Sequence, residues 1–349
     1  MLKIGKINLG LPFMLAPMAG VSDLPFRLIS REFGCPLAFT EMIDMNAIFQ
    51  KDRRTAHMLS SSPDDRPLGV QLLGGSSSIV PAVIEKLSEH TFDLLDFNAA
   101  CPSPKVTRKG KGAALLLEPR KLRDILRELV RLSPVPVAVK IRSGWDHDSV
   151  NAREVALYAE DAGISSLFIH GRTRAQGYSG TVDYGVIGDV KQALSIPVIA
   201  SGDNLSVLRV KQMFDETGCD GVAIARGALG NPWIFRQITG FFADGSILPG
   251  PDMDERIRVM KRHLEMATGH WGEKRGVGSF RKFFIWYTKG LGGLKPLRDR
   301  AFRTDTKEEL LETIGELASV RRTIVEGTKS FSKTRVTSMT DADRQTCTA

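Results

Sequence analysis

The sequence predicts an α/β fold, a (β/α)8 barrel followed by a small helical bundle, and three observations predict it. Short apolar runs rich in β-branched residues recur eight times, helix-length amphipathic segments separate them, and the periodicity becomes wholly helical after about residue 253. Parallel strands need a crossover between neighbours, so repeated strand–helix alternation reads as a parallel sheet covered by helices. A doubly wound sheet also uses such units; eight in succession favour closure. The 349 residues exceed what one compact core usually accommodates, which fits a large barrel with a smaller domain appended.

The strands expected are Phe13 to Ala16, Leu37 to Thr40, Leu68 to Leu72, Leu94 to Asn98, Val137 to Ile141, Ser166 to His170, Pro197 to Ala200 and Gly221 to Ile224. Among the helices, Pro119 to Leu132 carries Leu122, Ile125, Leu126 and Leu129 on one stripe, and Ala152 to Ala162 ends at the C-cap candidate Gly163. The pattern stops near Phe242, and Asp244 to Asp252 has the Gly, Pro and Asp content of a linker. Helical periodicity then covers Asp254 to Gly269, Val277 to Lys289 and Lys307 to Val325. The expected organisation is a barrel domain over 1–243, a helical domain over 253–326 and a disordered tail over 328–349, where apolar side chains are too few to offset ordering entropy.

A formal charge of +8 and a pI near 9.3 suit a polyanionic partner, since basic surfaces release counterions from phosphates, although a merely basic soluble surface has the same composition. Cys35, Cys101, Cys219 and Cys347 lie far apart, without metal-site spacing or a secreted framework, so a reducing cytoplasmic compartment is expected. The apolar stretch Leu9 to Val21 follows Lys3 and Lys6 as a signal peptide would, yet Pro12 and Pro17 interrupt it, and it reads as the first strand. No apolar run approaches the roughly 18 to 20 residues that span a bilayer.

Barrels of this kind carry their chemistry on the loops that follow the strands, so polar residues at strand ends are the candidates. Gln71, Asn98, Lys140, His170 and Ser201 to Asp203 all stand there. Cys101 follows the fourth strand, with Lys105 four residues on and the cationic run Arg108, Lys109 and Lys111 behind it. A lone cysteine is more often a small buried hydrophobe, and a polar run is more often a solvated loop; their joint position at the catalytic face favours function. Ser201-Gly202-Asp203-Asn204 and Ala225-Arg226-Gly227, after strands seven and eight, can present backbone N–H groups to a phosphate, with Arg226 adding charge-assisted bonds. Lys140 would place a cation in the mouth, either to stabilise an anionic reduced cofactor or to form a Schiff base.

Several segments together resemble the tRNA-dihydrouridine synthases, nearest to the bacterial B-type branch: PMAGVSD at Pro17 to Asp23, FNAACPSPKV at Phe97 to Val106, KIRSGW at Lys140 to Trp145 and HGRT at His170 to Thr173. ASGDN at Ala200 to Asn204, ARGALGNPWIF at Ala225 to Phe235 and RKFFIWY at Arg281 to Tyr287 extend the likeness over most of residues 1–325. The resemblance implies a TIM barrel that binds FMN, a C-terminal helical domain that helps hold tRNA, and NADPH as electron donor; a monomer without membrane attachment is expected beside it. It assigns Pro17, Met18, Ala19 and Gln71 to the flavin ring, Lys140 and His170 to the flavin, and Ser201, Gly202, Asp203, Ala225 and Arg226 to its phosphate. Cys101 becomes the general acid.

By the same resemblance, Asn98 and Lys105 orient the uracil or the catalytic loop. Arg108, Lys109, Arg172, Arg174, Arg281, Lys282 and Lys289 are candidates to hold the RNA, with Trp286 and Tyr287 offering aromatic surface or, equally, bundle core. Three positions depart from the family pattern: Ala100 and Ala225 replace glycine and Ser201 replaces asparagine, which puts loop geometry and flavin affinity in question. Two rival readings stand beside this one. A flavin barrel acting on a free pyrimidine, such as a dihydroorotate or dihydropyrimidine dehydrogenase, would share the cofactor site but needs no extended cationic surface. An RNA-binding protein with dispensable redox activity would have no need of Cys101 and Lys140.

Overall fold

The computed structural model describes residues 1–50 and 52–319; the tail expected over 328–349 lies outside them. The described residues form two compact units, the first Met1–Gly250 and the second beginning at Pro251.

The first unit opens with an antiparallel hairpin, β1 (Leu2–Ile4) and β2 (Ile7–Leu9). Eight strands follow: β3 (Phe13–Leu15), β4 (Ala38–Asp44), β5 (Leu68–Leu73), β6 (Leu94–Asn98), β7 (Val137–Arg142), β8 (Ser166–His170), β9 (Val198–Ser201) and β10 (Gly221–Ile224). They pair in parallel in the order β3-β10-β9-β8-β7-β6-β5-β4. The Leu15 amide donates to the Leu37 carbonyl at 2.9 Å, just ahead of β4, so the two ends of the sheet meet and the barrel closes. All eight expected strands are present within a few residues of their expected bounds. The largest difference is β4, which runs on to Asp44 through a register irregularity between Phe39 and Met42.

Side chains alternate across a strand, and the inward set explains the interior. Met14, Phe39, Leu94, Ala138, Phe168, Ile199 and Ala223 fill the barrel, and Leu2, Ile4 and Leu9 of the hairpin pack into the same cluster. Phe39 and Phe168 meet edge to face at 5.5 Å. The helix Pro119–Leu132 buries Leu122, Ile125, Leu126 and Leu129, each worth about 1.5–3 kcal/mol of apolar burial, while its arginines face water. The helix Ala152–Asp161 is followed by Gly163 at φ +89°.

The second unit contains helices Met253–Trp271, Glu273–Tyr287, Lys295–Arg303 and Lys307–Gly315. Lys295–Arg303 has no counterpart in the sequence reading; its buried side is essentially Ala301, too narrow an apolar stripe to register as a period. His263, Phe280, Phe283 and Tyr287 form its aromatic centre, with His263 Nδ1 3.1 Å from the Tyr287 hydroxyl. No helix among the described residues is long and apolar enough to cross a membrane.

Candidate active site

The parallel register converts the strand alternation into a site. Two residues beyond each interior side chain the strands reach the mouth: Leu94 leads to Asp96 and Asn98, Ala138 to Lys140 and Arg142, Phe168 to His170, and Ile199 to Ser201. Gln71 pairs with Asp96, Asn98 with Lys140, Arg142 with His170, and His170 with Ser201. Neighbours in register are neighbours in space, so polar groups from five strands converge on one pocket of about 360 Å³.

One wall of that pocket holds the thiol. Asn98 Oδ1 accepts from the amides of Ala100 (3.0 Å) and Cys101 (2.8 Å), which folds the chain back as β6 ends. Asn98 Nδ2 donates to Gln71 Oε1 at 2.8 Å, and Gln71 Nε2 donates to Asp96 Oδ2 at 2.6 Å. Cys101 is half-buried on the pocket wall, and its carbonyl accepts from the Ala113 amide. Gly112, at φ +59°, backs it so closely that an added Cβ would lie 2.8 Å from the Cys101 carbonyl oxygen. Cys35 and Cys219 are buried elsewhere; burial pushes the Cys35 thiol up to about 11 and raises that of Cys219. Cys101 is therefore the one described cysteine that reaches a cavity.

The wall beside the thiol, from β7 to β10, is cationic. Lys140 Nζ donates to Ser201 Oγ at 2.9 Å, and Ser201 Oγ donates in turn to the Ile169 carbonyl. Ser201 thus receives the lysine with its hydroxyl, which makes the departure from asparagine workable. Burial lowers the proton affinity of Lys140, with the Asp96 charge opposing that shift, and burial raises that of Asp96. His170 is held neutral, its pKa driven down to about 2 by burial first and then by Lys140, Arg142, Arg172 and Arg226 around it. Its buried Nε2 has no hydrogen-bond partner, nor does Arg172 Nη1. Unused donor capacity inside a ring of cations fits an anionic ligand, since charge-assisted bonds to phosphate suit these groups.

Asp203 stands at φ +52° in the turn after β9, bridging Arg172 (2.5 Å) and Arg226. Ala225 has φ −109°, outside the region that favours glycine, so its methyl fits the backbone there. Pro17, Met18 and Ala19 line the pocket on the β3 side, and Gly202, Asp203, Ala225 and Arg226 line it after β9 and β10.

Several residues expected at the RNA have other surroundings. Arg172 is 2% exposed and donates to the Ser179 and Gly180 carbonyls and to Asp203, so it braces the loop after β8 and offers no surface to a large partner. Lys111 is 7% exposed and paired with Asp44 at 2.7 Å, which removes it from the cationic run; the spacing of charges along a loop does not reveal which one turns inward. Lys105, Arg108 and Lys109 are exposed. Arg174 lies over the Trp145 ring at 4.4 Å. In the helical unit Arg281 is held by the Thr304 carbonyl and Asp305, Lys282 lies 5.2 Å over Phe283, and Lys289 is exposed. Tyr287 is fully buried, hence core, and Trp286 packs edge-on against Phe283.

Two residues the sequence reading did not single out complete the mouth. Arg142 donates to the carbonyls of Ala100, Thr173 and Gly177, tying the thiol loop to the loop after β8. Tyr178 lies against His170, Arg142 and Arg226. Arg142 was within reach of sequence reasoning, because it ends β7 two residues after Lys140 on the same face; Tyr178, mid-loop, carried no periodic signal.

Fold and site together define the class, a closed (β/α)8 barrel enzyme whose polar groups converge at the C-terminal ends of its strands. Residues 14–322 match the family model described as Dihydrouridine synthase. The chain is 36% identical over 324 residues to tRNA-dihydrouridine synthase B of Pseudomonas putida, covering 93% of this chain and 96% of that protein. It is 37% identical to the protein of the same name from Pseudomonas aeruginosa, with the same coverage. The chain belongs to the dihydrouridine synthase family and is an oxidoreductase. Among solved structures, histamine dehydrogenase from Rhizobium sp. 4-9 is similar in fold at a TM-score of 0.55 and 14% identity, the match covering 76% of this chain and 50% of that one.

Proposed function

We propose that this protein is a tRNA-dihydrouridine synthase that binds FMN in the barrel mouth, takes electrons from NADPH and reduces the C5–C6 bond of D-loop uridines. The observation that carries the reading is the sharing of one pocket: a thiol at the end of β6 lines the same cavity as the cations around the unpartnered Nε2 of His170. A flavin phosphate matches that wall, with the turns at Ser201 to Asp203 and Ala225 to Arg226 supplying backbone N–H groups and His170 and Arg226 supplying side chains. Gln71, Pro17, Met18 and Ala19 would border the ring.

FMN, once reduced, supplies hydride for C6 of the uracil. Cys101 holds at Sγ the proton destined for C5 on the opposite face, and Asn98 fixes the backbone that carries it. Lys140 supplies positive charge in the mouth, and Arg142 keeps the loops on either side in place. Arg108, Lys109 and Arg174 on the barrel, and Arg281, Lys282 and Lys289 on the helical unit, give tRNA phosphates cationic partners; extrusion of the uridine costs a few kcal/mol that such contacts offset. The domain assignment follows the same reading, with catalysis in residues 1–243 and tRNA contacts in 253–326.

The experiment is reconstitution. The purified chain should bind FMN with about one-to-one stoichiometry and yellow absorbance, bleach with NADPH, and recover its colour on addition of unmodified tRNA. A protein that remains colourless with excess FMN overturns the proposal, and one that is reoxidised equally by free uridine points to the small-pyrimidine reading.

A further inference from the structure

We propose that Asp96 is a positioning residue whose carboxylate fixes the direction of a chain of buried amides, Gln71 and Asn98, that holds the Cys101 loop. The importance of that loop to catalysis rests on the function proposed above; the positioning itself does not.

The inference follows from donor and acceptor inventory. The backbone N–H groups of Ala100 and Cys101 can only donate, so Asn98 must turn Oδ1 toward them, at 3.0 and 2.8 Å. Its Nδ2 then needs an acceptor and finds Gln71 Oε1 at 2.8 Å. Gln71 is thereby committed to presenting Nε2 at its other end, where Asp96 Oδ2 accepts at 2.6 Å. A primary amide satisfies either orientation equally well when its surroundings are symmetric. Here one end of the chain is two fixed donors and the other, in the ionised form that the Lys140 charge favours, a carboxylate that only accepts, so a single orientation of both amides makes every bond.

Burial makes that choice count. Asp96 and Gln71 are each 1% exposed and Asn98 6%, so water does not substitute for a missing partner. The three side chains meet because Asp96 and Asn98 alternate onto the inner face of β6 while Gln71 sits opposite Asp96 on β5. Burying a carboxylate is costly, and burial raises the proton affinity of Asp96 against the opposing hydrogen bond from Gln71. An apolar residue of similar size would avoid that cost but leave Gln71 Nε2 without an acceptor and both amides able to turn over. Turned over, Asn98 would present Nδ2 to the amides of Ala100 and Cys101, and the loop would lose its anchor.

The test reads the Cys101 loop directly, by the rate at which iodoacetamide alkylates Cys101 in the purified full chain, followed on the peptide that contains it. Asp96→Leu should change that rate by about tenfold or more, whereas Asp96→Asn, which keeps one acceptor, should stay within about threefold of wild type. A folded Asp96→Leu protein with wild-type alkylation overturns the proposal. Should that variant fail to fold, an exchange carries the test. Gln71→Glu alone sets two carboxylates against each other and should disturb the rate, and adding Asp96→Asn moves the acceptor one link along the same chain and should restore it to within about threefold. An equal deficit in the single and double variants overturns the proposal. Alkylation needs neither flavin nor RNA, so its outcome stands apart from whether uridine is reduced.

Discussion

The two ends of the barrel are built from the same eight strands and obey opposite rules. At the lower end the inward residues are Met14, Leu94, Ala138, Phe168, Ile199 and Ala223, all but fully buried, and the hairpin β1–β2 adds Leu2, Ile4 and Leu9. One step of two residues toward the C-terminal end, the same faces carry Ser201 and the titratable Asp96, Lys140 and His170, whose proton affinities are displaced by burial and by neighbouring charges. The lower layer gains stability from apolar area; the upper layer gives some of it back by burying charge and leaving Nε2 of His170 unpartnered. The difference teaches that strand alternation alone, continued one period further, separates stability from chemistry within a single sheet.

The separation can be broken from either side. Cys101→Ala should have the largest effect: if Cys101 is the acid proposed above, its loss should lower uridine reduction by about 10²–10⁴-fold in single-turnover assays. It removes only a sulfur at a half-buried site, so the urea midpoint should move by less than about 0.5 kcal/mol equivalent. Wild-type reduction by this variant would remove Cys101 as the acid. Phe168→Ala tests the other end. Deleting a ring that packs edge to face on Phe39 should cost about 3–5 kcal/mol of unfolding free energy, while FMN binding per folded molecule stays near wild type. Loss of FMN affinity without loss of stability would show that the two layers are not separable.

Much of this division was legible before the fold was seen, and its limits have physical causes. Gln71, Lys140, His170 and Ser201 could be placed because a polar residue ending an apolar strand has few places to be except the mouth. The hairpin β1–β2 escaped because its strands span three residues each, too short to establish a period of two. Its signal was the Gly5-Lys6 turn, where Gly5 adopts φ +56° between Ile4 and Ile7. Arg172 and Lys111 carry charge that suggests exposure, yet each is buried on a carboxylate distant in sequence, a pairing that local sequence does not encode. The bundle helix Lys295–Arg303 was hidden for the converse reason, since nearly all of it faces water.

Arg142 sharpens the comparison from within the upper layer, because it holds loops together where its neighbours face the pocket. Its guanidinium serves the carbonyls of Ala100, Thr173 and Gly177 at 2.8–2.9 Å, a fork that a lysine ammonium cannot reproduce. Arg142→Lys should therefore destabilise by about 1–3 kcal/mol and expose the loop after β8 to proteolysis, read as faster tryptic cleavage at Arg174. Cleavage at the wild-type rate would mean that the loop is held by Arg172 alone.

The smallest effect isolates the upper layer by pH. His170 is neutral in the folded protein because burial and four surrounding cations oppose its charge, whereas the unfolded chain titrates it near the ordinary 6.5. Below that pH the unfolded state takes up a proton that the native state refuses, so the histidine's contribution is present above pH 6.5 and is lost as pH falls through the window toward 2. For one such group the loss between pH 7.5 and 5.5 is about 1.4 kcal/mol. His170→Asn should remove that slope, so the difference in unfolding free energy between variant and wild type should shift by that amount in favour of the variant on acidification. The contribution of Phe168 should not change over the same range, because nothing in the lower layer titrates there. Inorganic phosphate should reduce the His170 slope, since an anion in the mouth offsets the surrounding cations and lets the native state accept the proton. A slope indifferent to both the substitution and the anion would mean that His170 titrates in the native state as it does in the unfolded chain and that the cationic wall is weaker than its geometry implies.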